Sequence, residues 1–304
     1  MPGKAAVIVN GVSIDDTFAE AFAMRATRVI ITADTAAWAR QAAVTMTGFA
    51  TSVIGCGCEA GIERELGPGE TPDGRLGVAV LLFTTSSSEL AKQLERRVGQ
   101  CVLTSPTSAV FAGIVNGKPL PLGKTLRYFG DGYQISKVIG TRRYWRVPVM
   151  DGEFIAEDTT AMSDGIGGGN FLILASGASR ALAAAEAAIA AMRQVGGAIM
   201  PFPGGIARSG SKIGSKYKTL IASTNHPFCP TLRAGVDSEL GPEIECVYEI
   251  VIDGLTEEAV RDSMQAGLRA VCAIGAAGGV RRLSAGNYGG KLGKFHFPLR
   301  ALLP

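Results

Sequence analysis

Histidine is scarce in this chain, with only His226 and His296 among 304 residues. A Ser-His-Asp triad would have to use one of them, and neither stands beside a Gly-x-Ser-x-Gly elbow or another recognisable nucleophile turn. The six cysteines do little more as metal ligands, because Cys56-x-Cys58 has the wrong spacing for a zinc knuckle and no second pair answers it. No protein-bound catalytic metal is expected. A Gly-x-x-x-x-Gly-Lys-Ser/Thr phosphate loop is missing as well. The glycine run Gly165 to Gly169 comes before a strand-like stretch, whereas a dinucleotide loop must follow a strand and open a helix. It reads instead as a turn or a place of close backbone packing, or else as a loop whose backbone contacts substrate. Charge is thin and nearly balanced, at 30 basic against 27 acidic residues, which falls short of the basic face of a nucleic-acid binder. Long apolar runs are lacking too: the stretch from Leu182 to Met192 is broken by Glu186 and flanked by Arg180 and Arg193, well below the roughly 18 residues of a membrane span. The N-terminal MPGKAAVIVNGVSI has no signal-type apolar core or cleavage site, so a soluble cytoplasmic protein with reduced thiols is expected.

Apolar residues, by contrast, make up 47% of the chain, enough for two compact lobes of about 150 residues each. Their periodicity repeats one β-α-β pattern. RVIITA (28–33) leads to a helix capped by Asp34, with Trp38 and Ala42 one turn apart, and then to ATSVIG (50–55). GVAVLLF (77–83) leads through Ser86 to Glu89, a capping-box spacing, into a helix with Leu90, Leu94 and Val98 on one face, then CVLTS (101–105). NFLILAS (170–176) precedes a helix carrying Leu182 and Ile189, closed by Gly196-Gly197 before AIMPF (198–202). CVYEIVIDG (246–254) precedes an acid-started helix with Val260, Met264, Leu268 and Val271 inward, then VRRLSAG (280–286).

Two such units per half make the split βαβ, ferredoxin-like arrangement, so the expected fold is α/β in the α+β sense: two ferredoxin-like lobes, residues 1–148 and 149–304, packed together. A doubly wound parallel sheet fits less well because of the long irregular stretch from Thr107 to Arg146. That stretch and the one from Pro203 to Glu245 exceed ordinary connections, and long ordered loops commonly carry function.

Two features suggest chemistry. Between Arg208 and Lys218 the chain carries Arg208, Lys212, Lys216 and Lys218, no acid, and glycines at 210 and 214; it suits a carboxylate or phosphate ligand, and also reads as a solvated basic turn. Glu249 lies in the strand Cys246 to Ile252, on the face shared by Val247 and Val251. Buried there, its pKa would rise toward neutrality and make it a usable general acid or base; on a wetter face it is an ordinary polar outlier.

Seven ordered motifs give the pattern more identity: Glu70 to Arg75, Tyr128 to Gln134, Gly152 to Asp158, Pro201 to Ile206, Ser211 to Lys216, Cys246 to Ile252 and Ser284 to Gly293. Together they resemble the formylmethanofuran:tetrahydromethanopterin formyltransferases. The resemblance implies two ferredoxin-like lobes, a homotetramer built as a dimer of dimers, and transfer of a formyl group between tetrahydromethanopterin and the amine of methanofuran. No metal or tightly bound cofactor is implied, only the two carriers as substrates. The catalytic glutamate maps to Glu249; Ser211, Lys212 and Lys216 become candidate anchors for the carriers' acidic tails, and Gly204, Gly205 and Asn225 candidate cleft contacts. The basic PLPLGKTLR stretch (119–127) is similar to bacterial methylotroph-type members, which implies hydrolase partner subunits and flow toward formate in formaldehyde oxidation. Two alternatives stand beside this reading: a noncatalytic scaffold subunit, and a formyltransferase using a folate carrier.

Overall fold

The computed structural model describes residues 7–303, so residues 1–6 of the expected first lobe and Pro304 of the second lie outside the described residues. Two βαββαβ units account for the architecture. The first comprises β1 (Phe18–Ala33), α1 (Ala36–Thr47), β2 (Glu59–Leu66), β3 (Leu76–Thr84), α2 (Ser87–Arg97) and β4 (Ala109–Ala112). The second comprises β5 (Thr159–Ala175), α3 (Ala178–Met192), β6 (Ala198–Ile199), β7 (Cys246–Gly254), α4 (Glu257–Ile274) and β8 (Val280–Ser284). Their antiparallel sheets follow the same spatial order, β2-β3-β1-β4 and β6-β7-β5-β8, each with two helices on one face. This is the ferredoxin-like α+β fold, twice.

The helices form where apolar spacing and caps coincide. Thr35, in extended conformation, caps α1 by accepting from the Trp38 amide at 3.3 Å. Asp34, expected in that role, instead pairs with Arg75 at 3.0 Å. The Ser86 hydroxyl accepts from the Glu89 amide, while the Glu89 carboxylate turns along the helix to Gln93 and Lys92. On α4, Val260, Met264, Leu268 and Val271 are fully buried against the second sheet, each contributing about 1.5–3 kcal/mol of apolar burial.

Three strands differ from the sequence expectation. Residues 50–55 are not a strand: Ser52 caps a helical turn, Val53–Cys56, which the left-handed Gly57 ends, and β2 begins at Glu59. Residues 101–105 continue α2 through a π-helical turn, Val98–Val102, because Val98 and Val102 are both buried against the first sheet, and the strand follows at Ala109. Within AIMPF only Ala198–Ile199 pairs, since Pro201 and Pro203 have no N–H to donate.

Strands β1 and β5 are also far longer than expected, 16 and 17 residues. Phe22 to Ala26 of one pairs antiparallel with Gly167 to Ser163 of the other, which joins both sheets into one continuous sheet. The glycine run lies in β5 at this crossing, where the register slips between Ile166 and Gly169. Side chains at Gly165 or Gly167 would strike Phe83 or Met24, so close packing is the reading that holds. Across the same seam the buried Glu63 accepts from Arg28 (2.6 Å) and from the Gly197 amide (2.6 Å).

The segment from Pro203 to Glu245 lies on the helix-free face of the second sheet. Phe228, Leu240 and Ile244 from it pack on Leu172 and Leu174 of β5 and Val247 of β7.

Candidate active site

In β7 the side chains of Ile250 and Ile252 enter the core beneath the helices, so alternation turns Val247, Glu249 and Val251 to the opposite face. Glu249 is held there from both sides. It pairs with Leu172 of β5, and its backbone exchanges two hydrogen bonds with Ala207, at 2.8 and 3.0 Å. The side chain is half-buried, and among the described residues no hydrogen bond or ion pair to its carboxylate appears. With nothing to offset burial, its pKa rises from the ordinary 4.5 to about 7. A carboxyl so tuned holds or yields a proton with equal ease near neutral pH.

Glu249 lines a cleft of about 600 Å³ between the open sheet face and the 207–231 segment, together with Leu172, Ala207, Arg208 and Asn225. The Asn225 backbone amide donates to Gly210 (3.3 Å) and its carbonyl accepts from Phe228 (2.9 Å), which fixes the loop at the cleft rim.

The remaining expected site residues are placed elsewhere. Ser211 and Lys212 belong to the strand Ser211–Ile213, paired with Ala222–Thr224, and Lys216 stands in the connecting turn. This hairpin springs from Gly210 and Asn225 at the rim, but the three side chains lie outside the cleft lining, Ser211 and Lys216 exposed and Lys212 half-buried. Gly204 and Gly205 line a separate cleft, about 740 Å³, on the seam between the two units, with Arg40, Glu63, Arg64 and Arg193. The Gly205 position, at φ +92°, excludes a side chain because one would strike Ile189. The chain from Gly204 to Ala207 forms the wall between the clefts.

Three further buried carboxyls surround this region, none of them foreseen. Asp253, on the Glu249 face of β7, accepts from the Gly168 amide (3.1 Å), and Glu59 of β2 accepts from the Val53 amide (3.0 Å). Burial, reinforced by the neighbouring Glu59, holds the Asp253 carboxyl protonated well above the usual range, and burial raises Glu59 as well. Glu20 of β1 is fully buried. Burial alone would raise its pKa, but hydrogen bonds from the amides of Gly293, Tyr288, Leu292 and Gly290 hold it down at about 2. A carboxylate in the apolar run FAEAFA is the sequence signal that could have found it.

Two family models match the chain. The formylmethanofuran-tetrahydromethanopterin formyltransferase model covers residues 7–149, and the model of that family's proximal lobe covers residues 152–302. The chain is 67% identical over 297 residues to a formylmethanofuran–tetrahydromethanopterin formyltransferase of Methylococcus capsulatus, covering 98% of this chain and 100% of that protein. It is 53% identical over 301 residues to a formyltransferase/hydrolase complex subunit of Methylorubrum extorquens, with 97% of each covered. Among solved structures, the formyltransferase/hydrolase complex from Methylorubrum extorquens in complex with methylofuran superposes at a TM-score of 0.96, with 52% identity and 99% of each chain covered. The formyltransferase from Methanosarcina barkeri superposes at 0.92, with 48% identity, 97% of this chain and 100% of that one.

Proposed function

This chain belongs to the formylmethanofuran-tetrahydromethanopterin formyltransferase family, and from that premise we propose that it moves a formyl group between N5 of tetrahydromethanopterin and the primary amine of methanofuran, with Glu249 as proton shuttle. It is an acyltransferase. The observation that carries Glu249's role is its unpaired carboxyl, tuned to about 7 by burial, on the wall of a cleft of about 600 Å³.

Transfer requires the amine to form a bond to the formyl carbon and N5 to release it, through a tetrahedral intermediate whose oxygen bears the charge. The attacking nitrogen must lose a proton and N5 must gain one. Glu249 takes the first and returns the second, ending in the state in which it began. The rest is positioning in a water-poor site, which needs neither a metal nor a prosthetic group.

The cleft suits the reacting ends of two carriers and not their whole length. Ser211, Lys212 and Lys216, on the hairpin at the rim, anchor the acidic tails that extend beyond it, and Asn225 meets the pterin or the amine at the mouth. Gly204 and Gly205 contact a carrier where it passes over the 204–207 wall into the seam cleft. Similarity to a subunit of a formyltransferase/hydrolase complex supports hydrolase subunits as partners, with formyl groups flowing toward formate in formaldehyde oxidation in the cytoplasm. Among the described residues no helix is long and apolar enough to cross a membrane. The chain self-associates as a dimer of dimers.

The test is the purified protein with formyl-tetrahydromethanopterin and methanofuran, followed by formyl transfer; Glu249→Gln loses on the order of 100-fold in kcat. A variant of undiminished rate refutes the shuttle, and tighter binding of a folate than of the methanopterin carrier refutes the substrate assignment.

A further inference from the structure

The loop from Gly286 to Gly293 is built around an anion that the protein supplies itself. Gly289 and Gly290 are both in the left-handed region, at φ +75° and +71°. That geometry turns several amides of the loop toward one point, as in the backbone concavities that elsewhere receive phosphate or carboxylate ligands, while the Gly289 amide donates to the Asn287 side chain. Here the point is occupied by the Glu20 carboxylate, which accepts from Tyr288 (2.6 Å), Gly290 (2.9 Å), Leu292 (2.6 Å) and Gly293 (2.6 Å). Gly293 lies so tightly on the Ala21 carbonyl that no side chain fits.

The clamp stands on the sheet face that carries Glu249, beside the cleft and not in its lining. Ala19 and Ala21 of β1 enter the helix-side core, so Glu20 points to the opposite face, the one that Glu249 occupies in β7. Between them stands Asn170 of β5, which exchanges two hydrogen bonds with Gly286, at 2.6 and 3.1 Å. Asn287 ties the loop to Thr17 and Phe18 (3.0 and 3.2 Å), and the Tyr288 ring packs on Phe22 with centroids 5.8 Å apart. The Tyr288 side chain, 38% exposed, covers this face on its outer side, and partial burial, then the charges of Glu249 and Glu20, raise its phenol above the usual tyrosine range.

We propose that Glu20 is a positioning residue for formyl transfer: its buried carboxylate clamps the 286–293 loop across the open sheet face, and the clamped loop, through Tyr288, shields Glu249 from water. The inference rests on the function proposed above. Four amides converge on Glu20, so the charge is fully solvated by the loop and the loop has one conformation. A glutamine at position 20 offers one acceptor oxygen and turns its NH2 toward the other amides. The other titratable groups lining the cleft are Arg208, Cys229, Glu245, Cys246 and Tyr248, with Asp253 further along β7. Among the described residues none of them is hydrogen-bonded to the loop, so loosening it leaves their covalent frame in place.

Titrating Glu249 itself tests this, by 13C NMR of protein labelled at the glutamate carboxyls, with Glu249→Gln identifying the signal, alongside amide exchange at residues 288–293. In Glu20→Gln, exchange quickens, the Glu249 midpoint falls from near 7 by at least about one pH unit, and the acid limb of kcat moves with it. An unmoved midpoint in a variant whose loop has opened overturns the proposal. Should Glu20→Gln not fold, Asn287→Ala, which removes the ties to Thr17 and Phe18 and the acceptor of the Gly289 amide (3.0 Å) but leaves Glu20 in place, carries the same reading: a smaller fall supports it, and faster exchange with no fall overturns it. The titration needs no carrier. A wild type whose Glu249 midpoint follows the loop but which transfers no formyl group therefore refutes the function and not the clamp.

Discussion

Replacing Glu249 with glutamine is expected to stabilise the protein while disabling it, and the gain depends on pH in a way that can be worked out beforehand. The folded protein holds this carboxyl at about 7 against an ordinary 4.5, an interval worth about 3 kcal/mol. Because the folded-state value is the higher one, the folded protein binds the extra proton. Its relative stabilisation is fully present below 4.5, declines from there upward, and is gone once pH has passed about 7. Above that point the wild type carries a desolvated charge with no compensating partner among the described residues. The amide of the variant is neutral at every pH and carries no such charge. Chemical denaturation of both proteins should therefore show the variant more stable by about 3 kcal/mol at pH 8 and by under about 1 kcal/mol at pH 5, once the pH-independent difference between the side chains is subtracted. A stability difference that is the same at both pH values would show that burial does not perturb Glu249, and the proton-shuttle reasoning would fall with it. A positive result would place Glu249 among residues whose strain is retained for activity.

Acid should act on Glu20 with the opposite sign: its folded value of about 2 is depressed, so its contribution is complete above about 4.5 and disappears as pH falls toward 2, read as a steep loss of denaturant midpoint that Glu20→Gln does not show. Lys212→Ala and Lys216→Ala should raise KM for the carriers several-fold with kcat nearly unchanged, because both stand beyond the cleft lining; an equal fall in kcat would place them at the reaction centre. Leu268→Ala, deep under α4, should cost about 2–5 kcal/mol in denaturant unfolding without moving KM. Glu63→Ala leaves the Arg28 guanidinium and the Gly197 amide without their shared acceptor and should cost about 3–5 kcal/mol in the same measurement.

How far the fold can be read ahead depends on length and contrast. The faces of α2 and α4 are legible because Leu90 and Leu94, or Val260 to Val271, repeat at helical spacing against polar neighbours. Residues 50–55 and 101–105 mislead because a short apolar run is equally compatible with a strand and a buried helical turn. Half of β1 and half of β5 stay hidden, since FAEAFAMR and TTAMSDGIGGG mix polar residues and glycine where the strands cross from one unit to the other. Glu249 is visible as the acid inside the regular apolar stretch Cys246 to Ile252. Glu20 carries the same signal within FAEAFA, but the β-branched run RVIITA that marks its strand covers only 28–33, so the acid falls outside it. Composition marks the 208–218 loop as basic, yet nothing local says on which side of a rim a lysine will stand, because the rim is fixed where Ala207 meets Glu249 of a strand far along the chain.

Strands β1 and β5 each run unbroken from one half of the molecule into the other and are bonded to each other midway. Such a beam resists bending about any axis that would separate the halves, since rotation there would shear backbone bonds on both sides at once. The catalyst accordingly has no jaw to shut. Any motion that turnover requires therefore falls to the peripheral segment 208–232 over a stiff floor, and turnover should respond to substitutions there far more than to conditions that slow the movement of one half against the other.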